Sequence, residues 1–493
     1  MIQESVKVHD KYQFEIKLGY KVFESEQDTQ YNIEIYFFFP GSLDINSHTY
    51  TKQDFYKDLR TYIRFKTPSV ILRHFMDKDS PFEKLKSCCE RLLKEPESPA
   101  ICKEYIHKIK MFCCILKSAL RDHVKFVALS ESPDSIKILI NEYLSNLQKI
   151  RDGFRSLYGL MAMPNMPVQA RSYFLFSDEY ISHRIEQYSF SLLRILKKNT
   201  AEEDIKYTKQ IYDLIEEEFK YREKNKFPSI PRETGDNEEV VFRKSVLKRF
   251  IGSILFLKTR SEKEGFLLEQ ILFGVAAGLS MMFATAVAFF SQSKFGSISL
   301  PVFIVLIVSY IFKDRIKELL RMYFAKNLQK VFFDHKIILY TAEREKIGLV
   351  KEVFYFIKEK NIPKEIMRMR DRDHITEIEN GLWGEKIAVY IEQVRLSAKK
   401  LKNIFKDYSI DSINDIMRFD ISKFLSKMDN PQKAVFLFHR NEFKKIYADR
   451  VYHINMIIKY QMKNNMLYKK FRIVLNRDGI KRIEETLSEM EKF

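Results

Sequence analysis

Apolar positions in this chain follow three rhythms, and each predicts a different element. Near the N-terminus they alternate. Tyr12, Phe14, Ile16 and Leu18 share one face of YQFEIKLGY, with Gln13, Glu15 and Lys17 on the other, and Ile33, Ile35, Phe37 and Phe39 keep the same register in YNIEIYFFFP. Two such runs around the polar SEQDTQ predict a β-hairpin, ended by Pro40 and Gly41. From about Thr51 the spacing becomes helical, through FYKDLRTYIRF, SPFEKLKSCCERLLKE and the stretches 99–129, 134–161, 171–196 and 205–222. Ser80 with Glu83, and Thr200 with Glu203, have the spacing of capping boxes. Residues 1–225 therefore read as a helical bundle carrying the β-hairpin on one side.

The third pattern is unbroken apolarity. No charge lies between Glu269 and Lys294, a window of 24 residues, and a second charge-free window of 18 runs from Phe295 to Phe312. As helices these would be about 36 Å and 27 Å long, against a hydrocarbon core of about 30 Å. A helix satisfies its own backbone hydrogen bonds and so crosses lipid in few residues. The expectation is a two-helix transmembrane hairpin over 266–313, with its turn at Ser291–Ser297.

Before it, NKFPSIPRETGDNEE has the composition of a linker, and Val240–Lys258 reads as a basic amphipathic helix, so 226–265 forms a juxtamembrane segment. Ile251, Ile254, Leu255 and Leu257 would sit at the membrane interface. After it, KDRIKELLRMYFAKNLQKVFF continues as a helix and Glu345–Glu359 is expected to be helical too. IAVYIEQVRLS, KAVFLF, RVYHINMIIKYQ and LYKKFRIVLNRDGIKRIEE then alternate as strands, with turns at Asn430–Pro431 and Asp478–Gly479. Residues 314–493 read as an α+β domain with an antiparallel sheet.

Charge changes this picture by giving it an orientation. The net charge of the 493 residues is +18. From Phe242 to Gly265 there are seven Lys/Arg, including Lys248, Arg249, Lys258 and Arg260, against two Glu, and Lys313, Arg315 and Lys317 follow the second window. The turn carries only Lys294. The positive-inside bias then puts both termini in the cytoplasm, as a multi-pass protein of the cell (inner) membrane. The same residues attract anionic headgroups, so the excess charge needs no nucleic-acid partner. The N-terminal MIQESVKVHDKYQF lacks a signal-peptide core, and five cysteines fit a reducing compartment.

Candidate chemistry is sparse. Phosphate-loop, dinucleotide, nucleophile-elbow, zincin and CxxC motifs are missing, so no cofactor or metal is expected. Cys88–Cys89, Cys102 and Cys113–Cys114 with His107 form poor chelates, because adjacent helical residues point about 100° apart. Glu104 and His107 make a single Glu-x-x-His where carboxylate-bridged di-iron bundles need two. RMRDRDHITEIENG gathers Asp371, Asp373, His374, Glu377 and Glu379, an acid/base or cation cluster interleaved with arginines. In the first membrane helix Gly274, Ala277, Gly278, Ala284 and Ala288 form a small-residue face, for packing within the hairpin or between chains as a homo-oligomer.

These features favour a non-catalytic, two-pass membrane-anchored scaffold or sensor. Its partners would be the bilayer, anionic lipid and a protein not identified by the sequence. The alternatives are an oligomeric channel or membrane-disrupting effector built on the hairpin, and a membrane-associated enzyme using a site such as Asp371–Glu379.

Overall fold

The alternating N-terminal runs do form strands, but they do not pair with each other. The computed structural model describes residues 3–22, 28–198, 205–233, 235–296, 299–341, 344–370, 384–404, 408, 410, 412–439, 442–462 and 465–486. The chain begins with β1 (Gln3–Val8), β2 (Gln13–Lys21), β3 (Asp28–Phe39), α1 (Lys52–Asp58) and β4 (Leu59–Phe65). Helices follow as α2 (Pro81–Lys94), α3 (Pro99–Leu129), α4 (Pro133–Ser156), α5 (Tyr158–Met161), α6 (Val168–Lys198), α7 (Ile205–Lys224) and α8 (Glu238–Gly252). Then come β5 (Lys258–Lys263), α9 (Phe266–Phe295), α10 (Leu300–Val331), β6 (His335–Tyr340), β7 (Lys346–Ile357), α11 (Lys364–Arg370), β8 (Lys386–Ser397) and β9 (Ser412–Asp420). The chain closes with β10 (Gln432–His439), β11 (Glu442–Asp449), β12 (Tyr452–Met462), β13 (Asn465–Asn476) and β14 (Gly479–Thr486).

These elements divide into two units. The first is assembled from Met1–Ile63, Leu257–Ile404 and Ser412–Phe493, and the second from Arg64–Phe256 and Phe405–Asp411. The helical unit is thus inserted into the sheet-bearing one. The backbone amide of Leu257 donates to the carbonyl of Ile63 at 3.0 Å, which fixes the two joints side by side in the first unit.

The first unit is built on two sheets with strand orders β14-β13-β12-β3-β8-β7-β6-β5 and β1-β2-β9-β4. Alternation sets the faces. Phe14, Ile16, Leu18 and Tyr20 of β2 are buried, as are Tyr31, Ile33, Ile35, Phe37 and Phe39 of β3. Phe37 stacks on Phe419 of β9 at 5.8 Å, joining one sheet to the other, and Phe55 of α1 lies flat on Phe354 of β7 at 3.8 Å. Tyr36 and Phe38, on the opposite face of β3, are covered by Ile366 and Met369 of α11.

Three expectations are corrected here. The N-terminal β-hairpin is absent: β2 pairs with β1 and β9, and β3 with β8 and β12. Alternation specifies a buried face but not a neighbour, and the wide polar link lets the two strands enter different sheets. The helix expected over Glu345–Glu359 is strand β7, consistent with the β-branched and aromatic run Val353–Phe356. The N-terminal strands belong with the C-terminal sheet and not with the helical bundle.

The second unit is organised around α3. Phe154 of α4 stacks between Phe112 of α3 and Phe174 of α6, with centroids at 5.3 and 4.7 Å. Ser80 caps α2 by accepting from the Glu83 amide at 3.2 Å. Cys88, Cys89, Cys113 and Cys114 are buried and behave as small apolar residues; burial pushes the Cys88 thiol up to about 11.

One turn ties the two sheets of the first unit. Gly479 opens β14 at φ +137°, and a Cβ there would lie 2.3 Å from the Lys11 carbonyl, which accepts from Ile480 N at 2.8 Å. Gly479→Ala is expected to destabilise this unit by about 1–3 kcal/mol or more, since backbone strain alone is of that size. Urea unfolding followed by circular dichroism checks it; an unchanged midpoint would refute the tie.

Candidate functional site

Two features of the first unit stand out chemically: an apolar helical arm and a row of buried acids that ends at the foot of that arm. α9 starts after Gly265, whose φ of +73° makes the sharp turn out of β5. α10 returns alongside it. The Ser309 hydroxyl donates to the Ala284 carbonyl at 3.5 Å and Arg321 lies over the Phe273 ring at 5.5 Å, so the two helices run antiparallel. Their seam on α9 is Ala276, Ser280 and Ser291, all buried. Ala277, Ala284 and Ala288 are half-buried. Gly274 and Gly278 sit two residues either side of Ala276, about 160° around the helix, and an added Cβ at either meets open space. The predicted small-residue face therefore splits. Small side chains other than the glycines pack within the hairpin, and the glycines point away from it.

Outside the seam the arm is apolar and uncovered. Leu267 is 77 % exposed, Phe290 70 %, Leu300 72 % and Phe303 62 %. Among the described residues α9 alone is long and apolar enough to cross a membrane. A second span is not shown. The charge-free window Phe295–Phe312 includes the helix break after Phe295, which leaves α10 with 13 charge-free residues, Leu300–Phe312. That run covers only about 20 Å of a core about 30 Å thick.

The predicted membrane-surface residues are scattered. Lys248 and Arg249 are exposed on α8 of the helical unit, while Lys258 and Arg260 are exposed on β5, which is a strand and not the end of a helix. Ile251, Leu255 and Leu257, expected at a lipid interface, are buried in protein. Their helical spacing served a protein core, which looks the same in sequence. Lys313, Arg315 and Lys317 lie on α10, with Lys313 over the Tyr310 ring at 3.7 Å. Glu104 is held by Arg91 and Lys108 on the bundle surface. Asp371, Asp373, His374, Glu377 and Glu379 lie outside the described residues.

The foot of the arm is a pocket of about 500 Å³, lined by Lys52, Tyr56 and Lys57 of α1, Lys263, Glu264 and Glu269, Leu328 and Phe332, and Asp334 and His335. Asp334 accepts from Lys52 Nζ at 2.6 Å, from the Tyr56 hydroxyl at 3.0 Å and from the Phe354 amide at 2.9 Å. His335 Nδ1 lies 3.0 Å from Glu352, and that contact raises the imidazole's pKa above its ordinary value. The other Glu352 oxygen accepts from the Tyr390 hydroxyl at 2.7 Å.

From there strand register carries an acid row inward. His335, Glu352 and Glu392 are successive cross-strand partners on β6, β7 and β8, followed by Ile33 and Tyr460. Partners directly opposite share a face, so two glutamates lie side by side. Asp415 of β9 meets Glu392 from the other sheet, carboxyl to carboxyl, and both are buried. No hydrogen bond of good geometry reaches either carboxyl among the described residues, and the Tyr20 hydroxyl beside Glu392 and the Ile416 amide beside Asp415 favour the charged forms only weakly against burial. Two carboxylates in contact without a cation cannot both ionise, so the pair holds a proton. Burial, the largest cause, pushes Asp415 up to about 6 and Glu392 well above the usual carboxylate range. The arrangement can store a proton and communicate its loss to His335 and the pocket.

Sequence reasoning missed this row, although it left a signal. Glu352 is in phase with buried Val350 and Phe354, Glu392 with Tyr390 and Val394, and Asp415 with Ile413 and Met417. An acid on the apolar phase of a strand is either paired or protonated.

Searches against family models, curated proteins and solved structures found nothing that matches this chain.

Proposed function

We propose that this protein is a membrane-anchored sensor or scaffold. α9 and α10 enter the bilayer, and the sandwich and helical units remain on the cytoplasmic side, with both termini. The carrying observation is the arm: large apolar side chains exposed along a 30-residue helix are costly in water and satisfied in lipid. α10 accommodates its short apolar run by directing Lys313, Arg315 and Lys317 back toward the headgroups. The buried acid row, reaching the foot of the arm, supports the sensor reading over a passive anchor.

Labelling at the turn tests the topology. Cys102→Ser removes the one half-exposed thiol; the other four are buried with raised pKa values and so hold little reactive thiolate. On that background Ser293→Cys should react with a membrane-impermeant maleimide in intact cells. Labelling only after lysis would show that the hairpin does not cross.

A second reading, the oligomeric pore, is favoured by the outward glycines. If Gly274 and Gly278 hold a neighbouring copy, Gly278→Leu should lower the particle mass in nanodiscs to that of a single chain. An unchanged mass retires the glycine interface.

A further inference from the structure

The first unit sends out a second apolar structure. β10 and β11 pair with each other and with no other strand among those described. Ribbons of two strands are marginal in water without something to pack on. This one exposes aromatic side chains: Phe436 at 63 %, Phe438 and Phe443 at 74 %, Tyr447 at 64 %. Phe438 is the cross-strand partner of Phe443, and the Phe436 and Phe443 rings meet edge-on at 6.0 Å. Lysines interleave with them. Lys445 is the partner of Phe436 and lies over the Tyr447 ring at 5.4 Å, and Lys444 is the partner of Leu437.

We propose that this ribbon docks on the surface of an anionic bilayer, on the leaflet that α9 and α10 enter. The inference rests on the membrane reading of the arm. Two observations choose lipid over other occupants. Aromatic rings interleaved with lysines suit the headgroup level, where rings are half-wet and cations meet lipid phosphate. Strand direction supplies the second. From β5 through β6, β7, β8 and β3 to β12 every pairing is antiparallel. The C-terminal end of β5, where α9 leaves, therefore points toward the same end of the sheet as the N-terminal end of β12, where β11 arrives. Lys263 lines up through His335, Glu352, Glu392 and Ile33 with Tyr460, so the ribbon's base at Tyr452 lies five strand spacings across the sheet, about 24 Å, and eight residues, about 26 Å, further along it.

The test uses the full-length protein with Cys102→Ser, reconstituted in phosphatidylcholine vesicles with or without phosphatidylglycerol. An environment-sensitive fluorophore is attached at Phe438→Cys, at Tyr447→Cys as a second ribbon site, and separately at Phe290→Cys on α9. Nitroxide-labelled lipids should quench all three, with the ribbon sites quenched most by nitroxides near the headgroup. Removing phosphatidylglycerol should weaken quenching at the ribbon sites several-fold and leave Phe290→Cys unchanged. Quenching at Phe290→Cys alone would overturn the ribbon proposal while leaving the arm's membrane reading intact. No quenching at any site would overturn both. Ribbon fluorescence that shifts with protein concentration and ignores nitroxide lipids would assign the ribbon to a second copy of the chain, and would also overturn the proposal.

Discussion

Arg222→Ala will destabilise the helical unit by about 3–5 kcal/mol, the cost of stranding a buried charge. Arg222 of α7 is completely buried, donating to Glu186 at 2.5 Å and Ser182 at 2.9 Å, and its guanidinium lies over the Phe219 ring at 4.5 Å. Its removal leaves Glu186 with Lys244 at 3.5 Å and His183 at 3.6 Å in a largely desolvated site. Glu186 responds to these partners. Burial works to raise its pKa, but His183, Arg222 and Lys244 together hold the carboxyl down at about 2. The sign follows from the lowered value: the stabilisation is complete above the ordinary glutamate pKa and is lost as pH falls through about 2. Urea unfolding at neutral pH measures the loss. Removing both charges, as Arg222→Met with Glu186→Leu, should cost less than Arg222→Ala alone, because no charge is left stranded. A double variant as unstable as the single one would show that packing, not the charge, dominates.

The acid row of the first unit behaves in the opposite sense. Asp415→Asn is expected to stabilise this unit at pH 8 by about 2–3 kcal/mol and to change it little at pH 4. In the folded chain Asp415 holds its proton up to about 6, against an ordinary value of 3.8. Between those values the folded state binds a proton that the unfolded state has released, so stability falls as pH rises through about 6 and then levels off. His335, raised by Glu352, adds a loss of the same sign at higher pH. Asparagine keeps the shape and removes the ionisation. Unfolding midpoints across pH 4–8 check the prediction. A variant whose pH profile parallels the unsubstituted protein would show that Glu392 and Asp415 do not share a proton.

How much of this could be read from the residues depended on whether the cause was local. The α9 window was legible because an uncharged 24-residue run needs no partner to be recognised. The Ser80 cap was legible for the same reason, since its hydrogen bond spans three residues. The β2 and β3 faces were legible, but their neighbours were not, because β9 and β12 lie about 400 residues away in sequence. The second charge-free window overstated its helix, because an uncharged turn adds to an apolar count without adding helix. The buried acid row joins β7, β8 and β9, and no spacing within any one of them reveals that Glu352, Glu392 and Asp415 meet.

The placement of β3 between β8 and β12 has a consequence for synthesis. The ribosome releases β3 early, and the strands that flank it are made only after the helical unit and the apolar arm. At roughly 5–20 residues per second, β3 waits about 20–70 s for β8. During that interval the Arg64–Phe256 part of the helical unit and the whole of α9 leave the ribosome before the sheet can close. On the proposed membrane reading, delivery of the arm to lipid would precede closure of the sandwich, and the buried acids would meet only in a chain already at its membrane.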